Sequence, residues 1–457
     1  MSYSAASLHA VLDAHAPAGA AGLVLALSGG ADSAGLLKAA VSLGTSFRGL
    51  KLRAVHIDHG LQSASVSFRE ACAAQCVALG VPLSVIFIDV RSPPGASLEA
   101  AARAARYAAL AQDLQPGECL LTAHHREDQA ETLLLQAMRG AGLPGMSSMP
   151  VIRRLGRGWH LRPVLDVPQA ELLALGAEAG VGPVVDPMNL DLRFDRGFLR
   201  REIWPLIKAR WPGAAGALAR AARHAADAQR LLDGVASADV GRLRDGEALS
   251  VTGLRALAAQ QRIQALRCWL REAGVDPPSE VRLREALRQV LGAQADHMPA
   301  IVWGACALRR YRQRLFLTPA QPPRLLGARR WNVPDAAAAS GSAAACEAAA
   351  DLGSGLGELR WTARPGGFDA KRLPQFLEIR ARAGGEALKP GATARTKSLH
   401  QLCQSHGVLP WMRDALPLVY AGDVLIAVGD LWLDARWRVG PGQPGIAIIW
   451  RRAPNVV

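Results

Sequence analysis

Between residues 21 and 140 the sequence alternates short apolar runs with longer, alanine-rich amphipathic stretches. Short strands that alternate with helices are typical of a parallel sheet covered by helices on both faces. The pattern therefore predicts an α/β fold with a Rossmann-like parallel sheet. Ligands of such sheets bind beyond the carboxyl ends of the strands. The apolar runs that we assign to strands cover residues 22–27, 51–58, 83–90 and 118–123.

The rest of the chain differs in composition from this first part. Residues 214–292 are helical in pattern, residues 335–357 are of low complexity, and the C-terminal residues combine short strand-like runs with frequent Gly and Pro. We therefore predict four parts. They are an N-terminal α/β domain (1–212), a middle domain that is all-helical apart from a short β hairpin (213–334), a linker or flexible loop (335–358) and a small α+β C-terminal domain (359–457).

Composition narrows the classes of protein to which the chain can belong. Hydrophobic residues make up 50% of its 457 residues, and no apolar stretch reaches the ~18 residues of a membrane span. Its seven cysteines include no C-x-x-C pair, which gives no support to a disulfide framework or to a zinc or iron–sulfur site. We expect a soluble cytoplasmic protein with no membrane partner. The net charge of +14 favours a polyanionic partner, although charge alone does not separate RNA, DNA and acidic lipid.

The stretch SGGADS follows the first predicted strand and leads into the first predicted helix. Gly29 and Gly30 allow a sharp turn and a close approach to a ligand, and Ser33 and the first N–H groups of the helix form an anion site. A Walker phosphate loop would also need a Lys after a Gly, and no lysine of this chain follows a glycine. Asp32 suits a divalent cation that bridges phosphate oxygens, or it is simply a helix N-cap. The loop is suited to gripping pyrophosphate as a leaving group.

Two further polar clusters end the second and the fourth predicted strands. His56 and Asp58 lie in VHIDHG, and His124 and Asp128 lie in TAHHREDQAETLL together with Glu131. His124, Asp128 and Glu131 are spaced so that they share one helix face. The alternatives are a structural hydrogen bond for His56 and a solvated charged face for the helix. Because both clusters follow strands near the first loop, we expect them to line the same site.

A basic stretch, LRFDRGFLRREIWP, follows near residue 200. Arg193, Arg196 and Arg200 recur at i, i+3 and i+7, and Arg201 comes next. This spacing predicts a basic helix face that binds nucleic-acid phosphates, with ordinary surface charge as the alternative.

Taken in order, these motifs resemble the tRNA(Ile)-lysidine synthases, a family of the PP-loop N-type ATP pyrophosphatases with an adenine nucleotide alpha hydrolase-like fold. The loop motif alone is shared by several enzymes, whereas the ordered set is specific. The resemblance covers residues 21–210 and 382–433 and rests on SGGADS, HIDHGL, AHHREDQAET, RGAGLPGM, LRPVLDV, DPMNLDLRFDRGFLRREIWP and the C-terminal stretch that begins RAGGEALKPGATARTKSLHQL.

The resemblance implies a reaction and its partners. Members of the family join free L-lysine to carbon 2 of the wobble cytidine in the CAU anticodon of an isoleucine tRNA. The cytosine carbonyl oxygen first attacks the α-phosphate of ATP and pyrophosphate leaves; the lysine ε-amine then displaces AMP. The first domain would catalyse both steps, with Mg²⁺ as the cofactor. The middle and C-terminal domains would bind the tRNA. The protein would be a monomer or a homodimer.

The resemblance also implies site residues. We expect Asp32 and Asp128 to hold Mg²⁺, and His124 or a nearby carboxylate to take the proton of the lysine amine. Arg103 is the alternative to Arg106. The expected catalytic residues are Asp32, Arg106, His124, Asp128 and Arg200. The expected ATP-binding residues are Ser28, Gly29, Gly30, Ala31, Asp32, Ser33, His56 and Asp58. The expected tRNA-binding residues are Arg139, Arg193, Arg196, Arg200 and Arg201.

Three positions depart from the family pattern, and three other functions stay open. Gly197 stands where Asn is usual, Glu127 where Asp is usual, and Ser148 where Gly is usual. The alternatives are a tRNA sulfurtransferase with the same loop, a small-molecule ligase and a basic RNA-binding protein with a decayed nucleotide domain. The missing C-x-x-C pair argues against a sulfurtransferase, and the basic helical middle domain argues against a small-molecule ligase. The presence of Asp32, His124 and Asp128 argues against a decayed nucleotide domain.

Overall fold

The computed structural model describes residues 3–44, 47–58, 65–90, 98–178, 194–294, 297–325, 327–334, 349–353 and 355–452. The chain divides into two compact units, Met1–Leu232 and Asp233–Val457. Among the helices of these residues, none has both the length and the apolar character needed to cross a bilayer. The predicted linker falls mainly on residues 335–348 and 354, which lie outside the described residues.

A six-stranded sheet with the order β3-β2-β1-β4-β6-β5 forms the centre of the first unit. All neighbouring strands pair in parallel except β5 and β6, which form an antiparallel hairpin at the edge. The chain order turns back between β1 and β4, and ligands bind at such switch points in open α/β sheets. The strands are β1 Gly22–Leu27, β2 Leu52–Asp58, β3 Leu83–Phe87, β4 Glu118–Leu121, β5 Ile152–Leu155 and β6 Gly158–Leu161.

Helices cover both faces of this sheet. Alternate residues of β1 enter different apolar clusters, Leu23 and Leu25 on one face and Val24 on the other, as a doubly covered parallel strand requires. A π-helical turn, Leu199–Ile203, joins α8 to α9, and the boundary between the units lies within α10. The helices are α1 Ala5–His15, α2 Ala31–Leu43, α3 Ser65–Leu79, α4 Leu98–Asp113, α5 Arg126–Met138, α6 Leu143–Met146, α7 Gln169–Glu178, α8 Asp195–Phe198, α9 Trp204–Arg210 and α10 Ala214–Leu243.

The second unit contains a helical part and a β-rich part. The helical part carries a five-stranded antiparallel sheet, β7-β8-β11-β10-β9, of which the predicted hairpin supplies three strands. Its helices are α11 Val251–Ala256, α12 Ala259–Glu272 and α13 Glu280–Gly292, and its strands are β7 Arg244–Asp245, β8 Ala248–Ser250, β9 Ala300–Trp303, β10 Cys306–Tyr311 and β11 Arg314–Pro319.

In its described residues the β-rich part contains three further sheets and one α-helix, which confirms the predicted α+β class. The sheets have the orders β12-β15-β18-β19-β20, β13-β14-β21 and β16-β17. The elements are β12 Arg329–Asn332, β13 Ala350–Asp351, β14 Glu358–Phe368, β15 Phe376–Arg380, β16 Ala387–Leu388, β17 Lys397–Ser398, α14 Leu399–Ser405, β18 Leu418–Ala421, β19 Val424–Val428, β20 Trp432–Leu433 and β21 Ile446–Arg451.

Candidate active site

A cavity of about 250 Å³ lies at the carboxyl ends of β1, β2 and β4 in the first unit. Four separate segments of the chain supply its polar lining, and each of them carries residues that the sequence predicts for the site. The polar and aromatic lining residues are Ser28, Asp32, Ser33, His56, Asp58, Phe68, Arg106, Tyr107, Thr122 and His124.

The loop after β1 is closed by its own serines. The hydroxyl of Ser33 donates to the carbonyl of Gly30 at 2.8 Å and lies 3.1 Å from the hydroxyl of Ser28. Gly29 has a φ of +82°, and a Cβ there would lie 2.9 Å from Cδ1 of Phe68, so the position requires glycine. Gly30 caps α2 without a side-chain hydrogen bond, which leaves the first N–H groups of the helix to an anion.

The two carboxylate oxygens of Asp32 have different surroundings. Oδ2 accepts from Nε2 of Gln169 at 3.2 Å and lies 3.8 Å from Nε2 of His125. Oδ1 is buried and has no hydrogen-bond partner among the described residues. Burial raises the pKa of Asp32 against the opposing effects of His125 and Gln169. A buried carboxylate oxygen without a donor suits a hard cation such as Mg²⁺, so Asp32 fits the predicted metal role.

His125, which the sequence motifs did not predict as a site residue, connects Asp32 to α5. Its main-chain N–H donates to Oδ2 of Asp128 at 3.1 Å, and its Nδ1 lies 3.1 Å from Oε2 of Glu127. Burial disfavours the charged ring, but the hydrogen bond to Glu127 and the carboxylates of Asp128 and Asp32 outweigh it and raise the pKa of His125. The sequence contains a sign of this role in the adjacent histidines of AHHRED. In an extended segment adjacent side chains point to opposite sides, so the two histidines contact different groups.

Two buried carboxylates of α5 and two half-buried arginines form a cluster. Arg196 and Arg200 donate from Nη2 to Oδ1 of Asp128 at 2.8 and 2.7 Å. The same arginines donate from Nε to Glu131 at 2.9 and 2.7 Å. Although burial opposes ionisation, His125 and the two arginines hold the pKa of Asp128 at about 2. Both oxygens of Asp128 are therefore occupied, and this residue fits a metal ligand less well than Asp32.

Residues of α4 and of the segment that follows β4 line another part of the cavity. Arg106 lines the cavity, whereas Arg103, one turn away, is exposed. Burial lowers the pKa of Arg106. Nδ1 of His124 lies 2.8 Å from Oγ1 of Thr122, and burial lowers the pKa of His124 to about 3, so the ring is neutral near pH 7.

The side chains at the end of β2 are held inside the protein. Nδ1 of His56 lies 2.9 Å from the carbonyl oxygen of Leu27, and Oδ2 of Asp58 accepts from Arg69 at 3.0 Å. The hydrogen bond of His56 to Leu27 joins β2 to β1 directly behind the loop. These two contacts fix the main chain at the end of β2, which lines the cavity.

The residues predicted to bind tRNA have different surroundings. Arg139 is exposed and pairs with the exposed Asp195 at 3.0 Å, and Arg201 is exposed as well. Arg196 and Arg200 are half-buried and pair with Asp128, and Arg193 lies outside the described residues.

The described part of the chain has no group of three His, Cys, Asp or Glu side chains arranged to hold a metal ion. A cation at Asp32 would therefore take its other ligands from phosphate oxygens and water. Cys72 and Cys76 are buried free thiols, and Sγ of Cys72 lies 3.4 Å from Nδ1 of His56.

Comparisons with known proteins assign a family to three regions of the chain. Family models match residues 4–207 (PP-loop domain), 249–316 (TilS substrate binding domain) and 377–450 (TilS substrate C-terminal domain). The tRNA(Ile)-lysidine synthase of Alkalilimnicola ehrlichii is 38% identical over 93% of this chain and 92% of its own length. That of Ralstonia nicotianae is 39% identical over 93% and 94%. The solved structure of a U34-tRNA thiolase from Methanococcus maripaludis matches 48% of this chain and 77% of its own length, with 13% sequence identity and a TM-score of 0.40. This similarity is too low to support an argument about function.

Proposed function

Since the chain belongs to the tRNA(Ile)-lysidine synthase family, we propose that it joins free L-lysine to carbon 2 of the wobble cytidine in the CAU anticodon of an isoleucine tRNA, at the cost of ATP. The observation that carries the proposal is the 38% identity over nearly the whole length of both chains. The cavity supports it, because a lysine-free glycine loop and a partly unpaired aspartate face the same space. We place the reaction in the cytoplasm.

The first step is transfer of AMP to the cytosine oxygen. The loop from Ser28 to Ser33 and the N-terminus of α2 would bind the β- and γ-phosphates, and Asp32 would hold Mg²⁺, which offsets the charge of the leaving pyrophosphate. Arg106, which lines the cavity, would face the α-phosphate. The main chain near His56 and Asp58 would bind adenosine.

The second step is attack of the lysine ε-amine on carbon 2 and release of AMP. The amine is mostly protonated at pH 7 and must lose a proton before it attacks. Either His124 or a nearby carboxylate of the site would take this proton.

The tRNA would contact both units of the chain. The substrate-binding and C-terminal family models match only the second unit, and Arg139 and Arg201 are exposed on the first. Arg196 and Arg200 would act chiefly by fixing Asp128 and Glu131, since each already donates to both carboxylates. A net charge of +14 favours such a polyanion.

Transfer of label from α-labelled ATP to the tRNA, without lysine present, tests the first step. We expect wild type and the control Asp13→Asn, an exposed carboxylate in the first helix, to transfer AMP. Asp32→Asn should be slower by at least roughly 100-fold, because it loses the cation ligand. Full activity of Asp32→Asn contradicts the metal role. Pyrophosphate release that requires a sulfur donor supports a sulfurtransferase instead.

A further inference from the structure

We propose that Thr122 and His160 form a hydrogen-bond relay that fixes the tautomer of His124, so that His124 presents an N–H donor at Nε2 to the cavity. The proposal rests on the proposed function, because it gives His124 a role in AMP transfer. Thr122 and His160 would be positioning residues, since neither needs to touch the substrate.

The relay begins at His160, a fully buried residue of β6. Its Nδ1 lies 3.2 Å from Nη2 of Arg162 and 3.3 Å from Nε of Arg153. A guanidinium group has only donors, so Nδ1 of His160 must accept and carries no hydrogen. The hydrogen of the neutral ring is therefore on Nε2.

The hydroxyl of Thr122 accepts a hydrogen bond from His160 and donates one to His124. Nε2 of His160 lies 2.9 Å from Oγ1 of Thr122 and donates to it. The single hydrogen of the hydroxyl is then directed to Nδ1 of His124, at 2.8 Å. Nδ1 of His124 accepts, which leaves the hydrogen of its ring on Nε2. That atom has no hydrogen-bond partner among the described residues, and the ring lines the cavity beside Arg106.

The charges around the two rings favour their neutral forms. Burial and then Arg162 lower the pKa of His160 to about 2, and burial likewise lowers the pKa of His124 to about 3, against the opposing charge of Asp128. Neither ring is an imidazolium near pH 7, so the tautomer assignment applies under assay conditions.

A fixed donor at this position has a definite chemical use. Negative charge builds on the α-phosphate oxygens during AMP transfer, and an N–H aimed at such an oxygen stabilises the transition state without reorganisation. The same atom cannot take a proton from the lysine amine. The relay thus assigns His124 to the adenylation step rather than to amine activation.

Nitrogen-15 NMR of histidine-labelled wild-type protein tests the tautomers directly. We expect His124 and His160 each to show a protonated Nε2 and an unprotonated Nδ1 at pH 7, with the two signals assigned by loss in His124→Gln and His160→Gln. A hydrogen on Nδ1 of either ring, or a doubly protonated ring, would overturn the relay.

A matched pair of variants tests its effect on catalysis. Thr122→Val removes the hydroxyl at nearly constant volume, and Thr122→Ser keeps it. We expect the valine variant to slow AMP transfer roughly 10-fold at nearly unchanged KM for ATP, less than the 10²–10³-fold loss of a whole donor, and the serine variant to stay within about 3-fold of wild type. Equal rates for the two variants would contradict the proposal. If wild type itself transfers no AMP, the proposed function fails, whereas the NMR result still decides the relay.

Discussion

At the scale of single residues, the site is organised by which buried charges are paired. Asp128 is saturated by two arginines and a main-chain N–H, whereas one buried oxygen of Asp32 has no partner in the part of the chain that the structure describes. An unpaired buried carboxylate oxygen is costly in the absence of a ligand. This difference separates a carboxylate that organises the protein from one that is open to a cation.

The pairing of Asp128 makes its contribution to stability dependent on pH. Its pKa in the folded protein, about 2, lies below the ordinary value of 3.8, so the ionised form contributes above about pH 4, and this contribution is lost as the pH falls towards 2. We expect Asp128→Asn to unfold more easily than wild type at pH 7 by about 2 kcal/mol, from 1.36 kcal/mol for each pKa unit. Unfolding by urea at pH 7 and near pH 2.5 measures the difference in unfolding free energy between wild type and Asp128→Asn. We expect this difference to be smaller at pH 2.5.

The control for this measurement is Asp423→Asn, because that carboxylate is fully exposed. It should leave the unfolding free energy almost unchanged at both pH values. A gap for Asp128→Asn that stays constant from pH 7 to 2.5 would show that the ionised carboxylate is not the source of the effect.

Ser148, one of the departures from the family pattern, has a left-handed backbone with a φ of +53°. Such a conformation destabilises a non-glycine residue by ~1–2 kcal/mol. Glycine avoids this strain, but its larger conformational entropy in the unfolded chain lowers the stability of the folded protein by ~0.5–1 kcal/mol. We therefore expect Ser148→Gly to stabilise the protein by about 0.5 kcal/mol in a thermal unfolding experiment. Ser147→Gly is the matched control, because Ser147 has a right-handed φ of −66° and should gain nothing. Equal effects of the two substitutions would refute strain at Ser148.

At the scale of elements, the loop depends on the close contact of α2 with α7. A Cβ on Gly35 would lie 2.2 Å from the carbonyl oxygen of Leu172, and one on Gly176 would lie 2.8 Å from that of Ala31. The two helices thus touch through glycines on both sides. This contact places Gln169, the first residue of α7, within hydrogen-bond distance of Asp32.

Gly35→Ala should separate α2 from α7. We expect a loss of about 3 kcal/mol in unfolding free energy, because the added methyl group meets a backbone carbonyl that cannot turn away, together with slower AMP transfer as Gln169 moves. Gly241→Ala is the control, since that glycine in α10 has open space around it. It should stabilise the protein by ~0.5–1 kcal/mol through helix propensity. A tolerated Gly35→Ala would show that the contact does not set the loop.

The edge hairpin of β5 and β6 shows where prediction from sequence reached its limit. The strands β1 to β4 were predicted because each is a local apolar run, and the fold class is confirmed. Residues 152–161 read IRRLGRGWHL, too short and too rich in arginine to show a period, and β6 is a strand because it pairs with β4 and β5. The relay histidine His160 lies on this hairpin and was missed for the same reason.

At the scale of the whole molecule, sequence motifs predicted which segments meet but not how their charges pair. Asp128 and Glu131 receive their arginines from residues 65 to 72 positions away, and no local pattern encodes such a contact. The spacing of Arg196 and Arg200 predicted a phosphate-binding face, and the fold pairs both half-buried side chains with carboxylates. Whether they also touch RNA stays a prediction.

The net charge of +14 makes tRNA affinity sensitive to salt. Each phosphate contacted by Lys or Arg releases counterions, so a footprint of about six phosphates should lose roughly 1,000-fold in affinity between 50 and 200 mM salt. Filter binding over that range measures the slope. A flat dependence would show that shape and base contacts, rather than charge, hold the tRNA.

Incorporation of labelled lysine into tRNA tests the central claim most directly. We expect the protein, with ATP and Mg²⁺, to attach one lysine to an isoleucine tRNA with a CAU anticodon and to release one AMP and one pyrophosphate for each lysine. The same tRNA with uridine at the wobble position is the control and should gain none. Pyrophosphate release without lysine attachment to the CAU tRNA, or equal labelling of the uridine control, would contradict the account.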